Sequence, residues 1–502
     1  MTFFTRLLAK AAKGADDLSY LYENDIVYPV HGLDDTKTFR DTLLTWTIYF
    51  NDTLDVGKLQ KSLTKLLSIG DWKKVGGRLR LKEDGGLEIH VPWVFTADRP
   101  AFSFTHANKH QAIEDHPAAK TLPKPNRKVA MWTPPKDFND LAARQDAPAT
   151  MEDLLVGDTP QMAVHVTSFT NATIIGLTWP HTLMDAMGLK ALLHAWSLVL
   201  AGRESEVPAL LGAKEDVLST IAESSVDKQE ASCMLPKELK GLNKLAFMAR
   251  VAWELMTTPL SETRALCLPK TAMDSLRQQV HQDLASSSGE SEKDVFVSDA
   301  DVFTAWLIRM ISTTSPTPRP MTLLQSINAR FRLHELVNAQ GVYVQNMVAV
   351  GFTLYSPDVT TGPMGAIALA TRQQLAAQAT ELQVIGNLEA QRVAGNPMAA
   401  LCSDPKALPV ITSNWAKGKF FHITDFGPAV LQAGDASESR SNPPGTPFFQ
   451  HTFCLKPPPV MMRHVISVIG KDHADNYWAN LVLPSLVWAN IEKSLGELEK
   501  PE

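Results

Sequence analysis

The amino-acid sequence predicts a mixed α/β protein with two lobes. The chain has 502 residues, and a single hydrophobic core stops growing at roughly 250–300 residues, so two domains are expected. Along the chain, β-prone apolar runs alternate with segments of helical periodicity. The clearest example is the stretch 171–202, where an apolar run ends at Pro180 and apolar residues then recur at helical spacing as far as Gly202.

Residues 1–215 are expected to form the N-terminal lobe, because strand and helix patterns both occur there. The hairpin follows from alternating residues on either side of a turn that contains two glycines. The predicted elements are, in chain order, a strand over 45–51, a helix over 54–69, a hairpin over 76–92, two strands within 161–179 joined at Asn171, and a helix over 188–201.

Residues 216–262 are interpreted as a crossover linker, because much of this segment is polar and acidic and its strand signal is weak. The C-terminal lobe is then expected over residues 263–502. Its predicted elements are strands over 323–330, 347–355 and 465–470, helices over 298–313, 364–380 and 484–498, and a loop over 436–447.

The composition argues against several classes of protein. The net charge is −6 and no long block of lysine and arginine occurs, so no nucleic-acid partner is expected. The four cysteines form no CxxC pair, which indicates neither a metal site nor a disulfide framework and favours a reducing, cytoplasmic compartment. No apolar stretch approaches about 18 residues, so stable membrane insertion is not expected. The basic residues 1–17 are interpreted as an ordinary helix, with a targeting segment or weak membrane contact as the alternative.

The chemistry expected from the motifs is acid–base chemistry without a bound cofactor. The sequence has no GxSxG elbow, P-loop, GxGxxG or HExxH motif, which argues against common hydrolases, nucleotide-binding enzymes and metalloproteases. An HxxxD pattern occurs twice, at His181–Asp185 and at His31–Asp35. Only the first directly follows a buried strand and precedes a helix, a position where α/β proteins place their sites.

His181 is therefore the candidate base, since a neutral imidazole is available near neutral pH. Asp185 is interpreted as an orienting carboxylate, and a merely hydrogen-bonded core histidine is the alternative reading of His181. Arg330, at a predicted strand end, is a candidate partner for a buried carboxylate, although a surface arginine has the same pattern. Asp425, Phe426 and Gly427 by themselves predict only a turn beside a core aromatic residue.

Taken together, these motifs resemble the BAHD acyltransferase family, and in particular its fungal branch of trichothecene 3-O-acetyltransferases. The family's HxxxDG and DFGWG motifs are matched by 181–186 and 425–429, and a Ser-x-Trp element by 413–415. The segments 76–79, 298–306 and 342–347 also occur in the family's order. The resemblance covers residues 20–490.

The resemblance implies a fold like that of chloramphenicol acetyltransferase, with mixed sheets in two lobes and a channel between them. It implies an acyl-CoA co-substrate, a small-molecule acceptor, a monomer and no bound cofactor. His181 and Asp185 would be the catalytic pair, and an arginine such as Arg330 would pair with Asp185. The residues 425–427 would be structural. Ser413, Asn414 and Trp415 would line the substrate or CoA channel. The oxyanion donor is left open, with Ser413, Asn414 and the Trp415 N–H as the candidates.

Two departures from the family pattern bear on these expectations. Ala186 stands where the family usually has glycine, which fits only if its φ is negative. Pro428 and Ala429 replace Trp-Gly, which puts the local loop, and with it the CoA side of the channel, in question. An alternative therefore stays open, in which the same fold acts as a cyclase or takes its acyl group from a carrier protein.

Overall fold

A computed structural model describes residues 24–124, 129–224, 230, 232–257, 261–287, 296–394, 401–434, 440–456 and 463–498. The predictions for residues 1–17 and for part of the loop 436–447 lie outside these residues. The strands are β1 (Ile26–Pro29), β2 (Leu43–Phe50), β3 (Thr53–Leu54), β4 (Arg78–Leu81), β5 (Leu87–Val91), β6 (Ser103–Asn108), β7 (Ala130–Trp132), β8 (Ala163–Ser168), β9 (Thr173–Pro180), β10 (Ser261–Leu268), β11 (Met321–Asn328), β12 (Val348–Tyr355), β13 (Leu408–Asn414), β14 (Val430–Gln432), β15 (Phe449–Phe453), β16 (Val465–Lys471) and β17 (Tyr477–Pro484).

The α-helices range from single turns to five turns. They are α1 (Lys37–Arg40), α2 (Val56–Leu66), α3 (Asn139–Ala142), α4 (Met151–Leu155), α5 (Ala186–Leu200), α6 (Val217–Ser224), α7 (Gly241–Thr257), α8 (Lys270–Ser287), α9 (Asp299–Ser312), α10 (His334–Val337), α11 (Pro357–Thr361), α12 (Met364–Gln378), α13 (Glu381–Ala394), α14 (Phe420–Ile423) and α15 (Ser485–Leu498).

Two mixed sheets define two lobes, which confirms the predicted architecture. The sheet of the first lobe has the order β15-β2-β9-β8-β6, and that of the second lobe has the order β12-β11-β13-β16-β17-β10-β7. Both contain parallel and antiparallel pairs, such as β6 with β8 and β8 with β9. A separate hydrophobic cluster surrounds each sheet.

Each part of the chain gives a strand to the other lobe's sheet. β7 pairs with β10 in the second sheet, and β15 pairs with β2 in the first. The segment 216–262, expected as a linker, holds α6 and α7 and ends inside β10. The boundaries predicted at residues 215 and 263 do not separate the strands of one sheet from those of the other. The division into two domains at these residues stays a prediction.

β9 lies in the middle of the first sheet, between β2 and β8. All eight of its residues are buried, which explains why its sequence is an unbroken apolar run rather than an alternating one. A Cβ at Gly176 would lie 1.6 Å from the Ala142 carbonyl oxygen, so only glycine allows that close approach. β9 thus begins in the centre of the lobe and ends at its edge, where the turn at 181–185 follows.

Candidate functional site

The HxxxD turn connects β9 to α5 and is held by backbone groups. The His181 N–H donates to the Thr42 carbonyl oxygen at 2.8 Å, and the Trp179 indole donates to the Met184 carbonyl oxygen at 3.0 Å. Asp185 is the N-cap of α5 and accepts from the Gly188 N–H at 2.9 Å, satisfying a donor that the first helical turn leaves free. The turn is therefore fixed on both sides of His181.

The His181 ring lines a large cavity between the lobes. It stacks on Phe39 with ring centroids 4.3 Å apart and an interplanar angle of 11°. Nδ1 is buried and has no hydrogen bond among the described residues, so Nε2 is the nitrogen that can face the cavity. Burial lowers the pKa of His181 below its usual value, against the weaker opposing effects of its own carbonyl, Asp185 and Asn346. A neutral imidazole at neutral pH follows.

Asp185 binds structural partners in the second lobe. Its Oδ2 accepts from Arg330 Nη1 at 2.8 Å and from the Met347 N–H at 3.2 Å. Arg330 Nη2 donates in turn to the carbonyl oxygens of Tyr343 and Gln345 at 3.2 and 2.6 Å. The pairing considered for Arg330 is thus present, and it joins the HxxxD turn to the segment 341–347.

Sequence reasoning missed three residues that hold the turn: Phe39, Asp34 and Asn346. Asn346 donates through Nδ2 to both the His181 carbonyl oxygen and Asp34 Oδ1, each at 2.7 Å. Burial raises the pKa of Asp34 to about 7, although Lys74 and Asn346 oppose this shift. Of these three residues, only Asn346 had a signal in the sequence, because it lies in the segment 342–347 that resembles the family.

The cavity has a volume of about 1730 Å³, and both lobes line it. Ser413, Asn414 and Trp415, at the end of β13, belong to its lining. Ser413 Oγ lies 3.0 Å from Ser326 Oγ. The Trp415 N–H donates to the Val468 carbonyl oxygen at 2.8 Å, which makes it the weakest of the three candidate oxyanion donors. This hydrogen bond joins the residue after β13 to β16.

The charged residues of the cavity lining fall into two groups. Arg277 and Lys471 both pair with Asp299, and Arg372 pairs with Asp301. Three further cations of the lining, Arg332, Lys417 and Lys419, form no ion pair within the part of the chain that is described. Lys417 Nζ lies 4.6 Å from the Phe331 ring centroid. Burial, and then the charge of Arg332, lower the pKa of Lys417, so two uncompensated positive charges lie close together at the cavity.

The 425–429 motif lies away from the cavity lining. Phe426 is fully buried and packs against Trp196 and Phe50, with centroids 4.6 and 5.4 Å away. The Gly427 N–H donates to Asp425 Oδ1 at 2.9 Å. Pro428 and Ala429 lie in a short 3₁₀ turn, and the Ala429 carbonyl oxygen accepts from the Asp55 N–H at 2.7 Å. The replacement of the family's Trp-Gly by Pro428 and Ala429 therefore affects a turn in the first lobe. It does not affect the lining of the cavity.

Other kinds of site find no support in the described residues. No group of three or more histidine, cysteine, aspartate or glutamate side chains among them is placed to hold a metal ion. None of the four cysteines, which all lie in the described ranges, forms a disulfide bond. No helix in the described ranges is both long enough and apolar enough to cross a membrane.

Comparisons with known proteins agree with this geometry. A family model described as the transferase family matches residues 47–429. The O-acetyltransferase PaAT-2 of Phomopsis amygdali is 34% identical over 487 residues, which cover 94% of this chain and 98% of the relative. The acetyltransferase pyiB of Pyricularia grisea is also 34% identical, with 96% of each chain covered.

The crystal structure of F. graminearum TRI101 complexed with coenzyme A and T-2 mycotoxin is similar in fold, with a TM-score of 0.62. The match covers 94% of this chain and 98% of that chain at 15% sequence identity. Together with the two-lobed architecture and the HxxxD turn at the cavity, these matches show that the chain belongs to the transferase family and is a BAHD-type acyltransferase.

Proposed function

We propose that this protein transfers an acetyl group from acetyl-CoA to a hydroxyl or amine group of a specialised metabolite, with His181 as the general base. The observation that carries the proposal is the position of His181, which lines the cavity between the lobes and is partly exposed. Burial lowers the pKa of its ring, which favours the neutral form that a base needs. The relatives named as acetyltransferases and the related structure with coenzyme A support acetyl-CoA as the donor.

In this reaction His181 Nε2 takes the proton of the acceptor hydroxyl as its oxygen attacks the thioester carbon. A positioned base of this kind contributes roughly 10²–10⁴-fold to the rate. The tetrahedral intermediate then breaks its C–S bond, and the protonated imidazole returns the proton to the leaving thiolate. No acyl-enzyme forms, so atoms and charge balance with His181 alone.

The oxyanion of the intermediate needs a donor near His181. With the Trp415 N–H engaged, the Ser413 hydroxyl and the Asn414 side-chain amide are the two remaining candidates of the 413–415 element, and both line the cavity. Asp185 takes no direct part in this scheme, because its oxygens bind Arg330 and two backbone N–H groups. Its role is to hold the turn.

One wall of the cavity favours an apolar acceptor. The lining includes six aliphatic side chains from β11, β12, β13 and α12 of the second lobe. Apolar walls with a few convergent polar groups are typical of sites for small hydrophobic molecules. We therefore expect a lipophilic alcohol in preference to a sugar or an amino acid. The six residues are Leu324, Ile327, Val348, Val350, Leu375 and Ile411.

The uncompensated cations Arg332 and Lys417 are our candidates for binding the phosphates of CoA. Two positive charges that repel each other at a cavity gain free energy when an anion lies between them. Lys37, Arg277, Arg372 and Lys471 also line the cavity but are paired with Asp41, Asp299 or Asp301, which makes them weaker candidates. Lys419, which forms no ion pair among the described residues, is a third candidate.

Calorimetric titration with acetyl-CoA and free CoA tests the donor without knowledge of the acceptor. Saturable binding is expected for the wild type, with affinity that falls at least tenfold in Arg332→Ala/Lys417→Ala, an effect of about 1.4 kcal/mol. Lys37→Ala is the matched control, since Lys37 also lines the cavity but is paired with Asp41.

Two outcomes contradict parts of this proposal. A double variant that binds CoA as tightly as the wild type would remove the phosphate assignment. A wild-type protein that binds neither acetyl-CoA nor CoA would favour a carrier-protein donor or a cyclase. With binding established, release of free thiol from acetyl-CoA in the presence of lipophilic alcohols identifies the acceptor class.

A further inference from the structure

Asn346 belongs to the second lobe and binds the His181 turn of the first lobe. It is 1% exposed. Its Nδ2 donates to Asp34 Oδ1 and to the His181 carbonyl oxygen, both at 2.7 Å, and its backbone N–H donates to the same Asp34 oxygen at 2.7 Å. One side chain of the second lobe therefore connects the catalytic turn to the N-terminal segment that contains Asp34.

These contacts fix the orientation of the Asn346 amide. A backbone carbonyl can only accept, and the carboxylate oxygen already receives the backbone N–H of the same residue, so the NH₂ group must face them and the oxygen must face away. Asn346 Oδ1 is buried and has no donor among the described residues. A buried acceptor without a donor lowers the free energy of unfolding, unless a neighbouring group donates a hydrogen bond to it.

The His181 ring is the neighbouring group that can supply this proton. Nδ1 is likewise buried and unpaired in the described part of the molecule. Burial lowers the pKa of the ring, and its own carbonyl oxygen, the charge of Asp185 and the Asn346 side chain oppose that shift. The Asn346 NH₂ group is already committed to Asp34 and the His181 carbonyl oxygen, so it has no proton to donate to a lone pair on Nδ1. The unpaired Oδ1 of the same amide could instead accept from an Nδ1–H that comes within reach.

We propose that Asn346 is a positioning residue that selects the His181 tautomer with its proton on Nδ1 and so leaves the Nε2 lone pair facing the cavity. It does this in two ways: it holds the His181 carbonyl oxygen in place through Nδ2, and it presents oxygen rather than nitrogen to the ring. The identity of His181 as a base rests on the proposed function. The tautomer is a property of the free protein and does not.

The tautomer is measured by nitrogen NMR of protein labelled with ¹⁵N in the histidine rings, without substrate and at a pH where His181 is neutral. His181→Gln assigns the signal. The wild type is expected to show the Nδ1–H form, and Asn346→Ala a mixture of both forms. If the alanine variant does not fold, Asn346→Ser is measured with the same expectation, because its short side chain cannot reach both Asp34 and the His181 carbonyl oxygen.

Asn480→Ala is the matched control. Asn480 is also a buried asparagine beside a buried histidine, with Oδ1 3.1 Å from His451 Nδ1, and it does not belong to the cavity lining. This variant is expected to change the His451 signal and to leave His181 in the Nδ1–H form. A loss of the His181 tautomer in this control as well would assign the effect to general loosening and overturn the proposal.

The kinetic consequence is a separate readout. Once an acceptor is known, Asn346→Ala is expected to lower kcat about tenfold, because a base in the wrong tautomer cannot take the proton, with KM for acetyl-CoA unchanged. A folded Asn346→Ala or Asn346→Ser protein that keeps a pure Nδ1–H tautomer would overturn the proposal even if acyl transfer is confirmed. Absence of acyl transfer with the expected tautomer change would instead overturn only the proposed function.

Discussion

The pattern HxxxD occurs twice in this chain, and the two copies have different surroundings. His181–Asp185 lies between β9 and α5 at the cavity, and His31–Asp35 lies in the segment between β1 and α1. The motif alone does not distinguish them. Their comparison shows which part of the pattern carries the candidate chemistry.

The two aspartates are used in nearly the same way. Asp185 accepts from Arg330 and from the N–H groups of Gly188 and Met347. Asp35 accepts from Arg40 and from the Leu87 N–H. Each carboxylate thus holds a chain turn through an arginine and the backbone, which is a structural task.

The histidines differ. His31 is buried, and its Nε2 lies 2.7 Å from the Gly212 carbonyl oxygen. It is absent from the cavity lining, whereas the His181 ring reaches it. A histidine whose ring nitrogen is bonded to a backbone carbonyl has no lone pair to offer there, so access to the cavity separates the candidate base from the structural residue.

Replacing each histidine by alanine gives the largest expected difference. His181→Ala should lower kcat by about 10²–10⁴-fold, since the reaction loses its base, and should melt close to the wild type. His31→Ala should retain turnover and lose stability, because a buried ring is removed and the Gly212 carbonyl oxygen keeps only the longer hydrogen bond from Gln345 Nε2, at 3.4 Å. Thiol release from acetyl-CoA and thermal melting measure the two properties.

The comparison fails if the two variants exchange their behaviour. A folded His181→Ala protein with near wild-type turnover would remove the base assignment. Loss of turnover in a normally melting His31→Ala protein would mean that the buried histidine acts on the reaction from outside the cavity.

The aspartates give the second prediction. Asp185→Ala leaves Arg330 unpaired between the lobes, and breaking a buried pair costs about 3–5 kcal/mol. Asp35→Ala should cost less, since Asp35 loses fewer partners and its side chain is 15% exposed against 8% for Asp185. Thermal melting of both variants should rank Asp185→Ala lower. An Asp185→Ala protein that melts normally but has no activity would instead give this carboxylate a chemical role.

Much of the fold could be predicted from the local hydrophobic pattern. In its clearest segments, the spacing of apolar residues fits only a strand or only a helix. The unbroken apolar run of β9 and the spacing of α5 both appear where expected, with Gly202 at φ +71° just past the helix. The hairpin of β4 and β5 also forms around its predicted turn. These elements are specified by neighbouring residues.

Long-range pairing could not be predicted in this way. β7 and β15 join sheets built mostly by the other part of the chain, and no local signal encodes that choice. The same limit applies to the site. Phe39 stacks on His181, and Asp34 reaches the His181 turn only through Asn346. Both are about 145 residues away in sequence, and neither belongs to a motif. His181 was identifiable because its strand, turn and helix are contiguous.

The pH dependence of acyl transfer sharpens the comparison. Burial lowers the pKa of His181, and the base is active when deprotonated, so kcat/KM should be level above pH 6.5 and fall only below it. The decrease should reach about tenfold per pH unit once the pH lies below that pKa. Burial also lowers the pKa of His31, but His31→Ala should leave the profile unchanged. A profile that falls already above pH 7 would contradict the direction given for His181.

The smallest expected effect concerns Ala186, the residue that departs from the family pattern. Ala186 is the first residue of α5, and the positive-φ residues other than glycine in the described ranges are elsewhere. Ala186→Gly should therefore leave turnover unchanged and cost less than about 1 kcal/mol, the helix penalty of glycine. Thermal melting and the thiol assay measure both.

The reverse exchange two residues later provides the control. A Cβ at Gly188 would lie 2.1 Å from the Val344 carbonyl oxygen, a backbone atom of the segment 341–347, which binds Arg330 and contains Asn346. Gly188→Ala should therefore push α5 away from that segment and damage both stability and turnover. If Ala186→Gly were as harmful as Gly188→Ala, the backbone at 186 would have a requirement that its ordinary φ does not explain. If Gly188→Ala were harmless, the close packing of the HxxxD turn against 341–347 would not be needed to hold His181.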